Sequence, residues 1–84
     1  MSRAEAVAAV RAYGSDAEAG ARAAREDWRT GLWAKFRDTD FAGLIGGALG
    51  PARGRVWEDG YRRMIEALCI VDPDKARRDM EKTA

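Results

Sequence analysis

The sequence predicts an all-α protein, a compact bundle of four to five short-to-medium helices forming a single domain over residues 1–84. Three observations carry that expectation. Helix-start signals at Ser2, Ser15, Asp40, Gly50-Pro51 and Asp72-Pro73 are each followed by apolar residues at helical spacing. Ala dominates the first 24 residues, whereas Val and Ile are few. Pro occurs only twice, each time where a helix can begin.

The first signal is Ser2, an N-cap with Glu5 three residues later as its capping-box partner. Ala6, Val10 and Tyr13 give this helix a modest apolar stripe, and Gly14 supplies a left-handed residue to end it. Ser15 with Glu18 repeats the box, which predicts a tight corner and a second helix from about Asp16 to Arg37. Ala17, Ala21, Ala24, Trp28, Leu32 and Phe36 share its inward face. The first half of that face offers only methyl groups and suits close approach of a neighbouring backbone, which the reading assigns to helix one. Gly20 and Gly31 each weaken the helix by about 1 kcal/mol relative to Ala, and Gly31 could mark a kink.

Asp40 is an N-cap for a third, short helix whose face is Phe41, Leu44, Ile45, Ala48 and Leu49. The stretch from Trp28 to Leu49, with two of the three Trp and both Phe, holds much of the bulky apolar surface. Gly50-Pro51 then stops one helix and starts another, expected from about Ala52 to Ile70. Its inward stripe is Trp57, Tyr61, Met64, Ile65 and Leu68. Opposite charges at i, i+4 (Glu58/Arg62, Asp59/Arg63, Arg62/Glu66) mark its outer face. Asp72-Pro73 begins a final helix to about Lys82 with only Ala76 and Met80 to bury, so it should fray or dock on a partner.

A chain of 84 residues buries only roughly 60–65% of its unfolded surface, so the core is thin. With one cysteine there is no intramolecular disulfide, which fits a reducing, cytoplasmic setting; Cys69, among Leu68, Ile70 and Val71, is expected to be a buried thiol. No apolar run approaches a membrane span, and the N-terminus lacks a signal-peptide core. Fifteen basic against 14 acidic residues argue against a protein that grips nucleic acid through its whole field.

Chemistry is sparse. The absence of His removes the commonest general base and metal ligand. Ser2 and Ser15 are explained as caps, so Ser or Cys nucleophilic catalysis has no base to work with. Asp38-x-Asp40 with Gly43 opens like a calcium loop but fails at Ala42 and Leu49, where oxygen ligands are needed. The run from Gly46 to Arg55 lacks the Gly-Lys-Ser/Thr ending of a phosphate loop. The expectation is a protein that is not an enzyme and has no metal or cofactor.

What remains is recognition. Continued through helix two, Arg22, Glu26, Arg29, Trp33 and Arg37 form a stripe roughly 100° from the Trp28 face. Trp and Arg are enriched at binding hot spots, so Arg22, Arg29, Trp33 and Arg37 are the candidate partner-binding residues. The competing structural reading has Trp33 clamped by a neighbouring helix. The leading functional reading is a small protein-binding module, an adaptor or inhibitor. Size and lack of chemistry associate such modules with phages or mobile elements acting on host machinery, counter-defence included. A homodimer is admitted by the thin core. The alternative is a helix-turn-helix regulator of DNA, with Arg53 and Arg55 at the start of a recognition helix.

Overall fold

A computed structural model describes residues 2–37 and 50–83, with residues 3 and 5–15 described as backbone only. Three α-helices and one short 3₁₀ turn make up the regular structure of these residues: α1 (Arg3–Thr30), the turn Leu32–Ala34, α2 (Pro51–Val71) and α3 (Pro73–Thr83). The architecture is all-helical, as the composition and periodicity indicate. The expected third helix over Phe41–Leu49 lies outside the described residues; among the described residues there are three α-helices, and the count of four to five is not confirmed.

The expected corner at Gly14-Ser15 is corrected. α1 runs unbroken through both residues for 28 residues. One interior Gly costs a helix only about 1 kcal/mol, which Ala-rich flanks can outweigh, and a Ser that could cap can equally sit inside a helix. The stop is Gly31, where the sequence suggests a kink. It adopts φ 82°, ψ −2°, the left-handed conformation in which only Gly is free of strain. The second helix therefore ends at Thr30 rather than Arg37, and Trp33 occupies the 3₁₀ turn that follows.

The later start signals match the structure. Pro51 opens α2 behind Gly50, whose φ of 92° again suits Gly. Asp72 serves both neighbouring helices: its N–H donates to the Leu68 carbonyl at 2.9 Å, and its Oδ1 accepts from the Lys75 N–H at 3.1 Å.

The pairs Asp16/Arg53, Gly20/Trp57 and Ala24/Tyr61 advance together in steps of four, so α1 and α2 lie parallel with α2 beginning beside the middle of α1. The helices meet backbone to backbone. A Cβ built on Gly20 overlaps the Trp57 carbonyl, and one built on Gly60 overlaps the Ala17 carbonyl. The neighbour expected for the methyl face was helix one; it is α2, because helix one and that face belong to the same α1.

The core has two parts joined by Ile65. Ala24 and Tyr61 are buried, with Phe36, Trp57 and Met64 against them. Trp33, Ala34 and Ala76 form the second group, flanked by Trp28, Cys69 and Met80. Ala76 and Met80, the apolar pair expected on the last helix, thus pack on their own chain. Among the described residues no helix is long and apolar enough to cross a membrane.

Candidate functional site

Three polar ties hold the helices in place and decide which charged groups are left for a partner. At the start of α2, Arg53 Nε and Nη2 donate to the two Asp16 carboxylate oxygens at 2.8 and 3.0 Å. This bidentate pair holds the Asp16 carboxyl below its ordinary value, against the opposing effect of burial, and raises the Arg53 guanidinium. Halfway along, the Tyr61 hydroxyl donates to Asp27 Oδ2 at 2.6 Å. Burial first, and then that hydrogen bond, push the Tyr61 hydroxyl well above its ordinary range.

The third tie joins the end of α1 and the 3₁₀ turn to α3. The Trp33 indole Nε1 donates to Asp79 Oδ2 at 2.8 Å, and the Lys75 ammonium donates to the same oxygen. Lys75 Nζ also donates to the Trp28 carbonyl at 2.6 Å and lies 4.4 Å from the Trp28 ring centroid. That carbonyl also accepts from the Gly31 N–H at 3.3 Å, so Lys75 adds a second donor at the end of α1. Burial pushes the Asp79 carboxyl upward; Lys75, the Trp33 N–H and the charge of Lys82 outweigh it and hold the group below its ordinary value. The Trp28 and Trp33 rings lie 5.2 Å apart, tilted by 30°.

These ties redistribute the residues singled out from sequence. Trp33 is only 3% exposed, because Gly31 turns the chain off the α1 axis and into the face of α3. The stripe Arg22, Arg29, Trp33, Arg37 therefore does not exist as one helix face. Arg22 and Arg29 stay exposed on α1, where Arg29 pairs with Glu26. Arg37 is exposed beyond the 3₁₀ turn, and its carbonyl accepts from Arg62 Nη1 at 3.2 Å. Arg53, proposed to read DNA bases, is engaged by Asp16; Arg55 is exposed. Asp38, Asp40 and the third helix fall outside the described residues.

Trp33 and Arg37 do meet at one feature. A cleft of about 170 Å³ is lined by Trp33, Phe36, Tyr61 and Ile65, with the exposed Arg37, Arg62 and Glu66 around it. The apolar lining comes from the 3₁₀ segment and α2, and the charges from the chain beyond Phe36 and the outer side of α2. Sequence reasoning missed Arg62 and Glu66 here because it treated them as a solvated helix face; Glu58 does pair with Arg62 at 3.2 Å, as expected there.

A second feature was misread. Ile70 and Val71 are 75% and 80% exposed rather than packed around Cys69. Ile70 follows Tyr61 by nine positions, about half a turn around the helix, which is the signal that places it opposite the core. Cys69 itself is half-buried against the Trp33 group, and burial, with the nearby Asp79 charge, raises its thiol.

Among the described residues no group of three or more His, Cys, Asp or Glu is placed to hold a metal ion. Compared with known proteins, the chain matches no family model, no curated protein and no solved structure at a significant level.

Proposed function

We propose that this chain is a small non-catalytic protein-binding module, an adaptor or inhibitor, that holds its partner at the cleft beside Trp33. The observation carrying this reading is the cleft's size and chemistry. At about 170 Å³ it is below the roughly 300–1,000 Å³ of small-molecule and cofactor sites and suits a single apolar side chain. Its aromatic and aliphatic lining would take such an anchor, and the Arg37 guanidinium beside it could hold a partner carboxylate bidentately. Arg22 and Arg29, on α1, are left to steer rather than anchor.

The test is affinity capture from host lysate with the wild-type chain and with Arg37→Glu, melting temperatures being measured in parallel. A partner held by the wild type and lost by an Arg37→Glu variant of unchanged melting temperature supports the reading. A partner held equally by both moves the site elsewhere. Duplex DNA bound at low salt, with a steep loss as salt rises, would favour a nucleic-acid regulator instead.

A further inference from the structure

We propose that α3 is a latch: it leaves the body as a unit and uncovers the Trp33–Cys69 face while α1 and α2 stay packed. This inference does not depend on the partner reading, since it concerns how the chain opens and not what it binds.

Two different kinds of contact hold the helices. α1 and α2 share backbone-to-backbone contact at Gly20 and Gly60 together with the Ala24–Tyr61 core. The apolar packing of α3 rests on Ala76 and Met80. Among the described residues its polar anchorage to the body is one cluster, in which Asp79 accepts from Trp33 while Lys75 reaches the Trp28 carbonyl and ring. Asp79 and Lys75 share one carboxylate oxygen and sit on the same helix, so their contacts to Trp33 and Trp28 are made and lost together. The hinge is in place as well. Asp72 alone separates α2 from α3, with φ −136° and ψ 76°, and Ile70 and Val71 beside it are exposed rather than packed against either helix. Eleven residues are too few for a helix to persist alone in water, where roughly 12–15 are marginal, so α3 unfolds as it leaves. Its opening then lies below global unfolding in free energy, the behaviour of a separate cooperative unit.

Amide hydrogen exchange across a range of low denaturant concentrations tests this on the intact chain. The α3 amides are expected to share one opening free energy, smaller than that of the Tyr61–Leu68 amides of α2, with a shallower denaturant dependence. Asp79→Asn should accelerate exchange across α3 together, by about tenfold or more, as for loss of one charge-assisted hydrogen bond, and accelerate the α2 amides by no more than the same factor, so that their larger opening free energy and steeper denaturant slope persist. α3 amides that exchange with the free energy and denaturant slope of α2 would overturn the latch. So would rates graded inward from Thr83, which would show fraying instead of a unit. The wild-type comparison alone decides the matter if Asp79→Asn does not fold.

Discussion

The indole N–H of Trp33 donates to the carboxylate of Asp79 at 2.8 Å, across 46 positions of sequence. Asp79 is only 8% exposed, and the same oxygen takes the Lys75 ammonium. Removing the carboxylate leaves two donors without their acceptor. Asp79→Ala should therefore cost about 1–3 kcal/mol, read as a fall in the midpoint of chemical denaturation with the slope unchanged.

Gly20 and Gly60 should reverse the usual rule for helix interiors. Gly→Ala there ordinarily gains about 1 kcal/mol. Here the added methyl overlaps a carbonyl of the facing helix, so Gly20→Ala and Gly60→Ala should each destabilise, by about 1–3 kcal/mol or more, as the backbones are forced apart. Denaturant unfolding of the two variants checks this; a gain in stability from either would mean that α1 and α2 do not touch there.

Stability should have a definite acid limb. Asp16 and Asp79 titrate below their unfolded counterparts, held there by Arg53 and by Lys75 with Trp33. A lowered folded value means that their stabilisation is complete above the unfolded carboxyl range near pH 4 and is lost as pH falls through the folded values. Asp16→Asn and Asp79→Asn should each flatten that limb. Tyr61 behaves in the opposite sense. Its raised hydroxyl stabilises below its unfolded value near pH 10, and the contribution is lost as pH rises through the folded one, so Tyr61→Phe should weaken the alkaline dependence. Melting temperature against pH for the parent and the three variants measures both limbs.

Cys69 should react slowly with a thiol reagent in the native protein and rapidly in denaturant. Burial and the neighbouring Asp79 charge raise its thiol, so less thiolate is present at a given pH. Native labelling as fast as that of a free thiol would place Cys69 on the surface.

Much of the fold could be read from local signals, and what was missed is tertiary. Gly50-Pro51 and Asp72-Pro73 mark true helix starts because proline fixes φ and removes a donor that the first turn does not use. Tyr61 and Ala76 could be found from periodicity alone. Gly14 and Gly31, however, look alike in sequence, yet α1 runs through the first and stops at the second. Ending that helix at Thr30 rather than Arg37 takes Trp33 off the α1 surface and puts it against α3, and the arginine stripe disappears with it. Asp16 looked like the opening of a helix and is instead an interior anion paired with Arg53, a contact between residues 37 apart that no local pattern encodes.

Trp33 is a structural residue that joins the end of α1 to α3, and the thermal melt of Trp33→Ala tests that most directly. A buried Trp replaced by Ala typically costs about 3–5 kcal/mol, and each kcal/mol lowers the melting temperature of a domain this size by about 4–8 °C. Trp33→Ala should therefore melt far below the parent, by an amount similar to Trp28→Ala, whose ring packs against it. A Trp33→Ala protein that melts with the parent would place the indole outside the core and contradict the account.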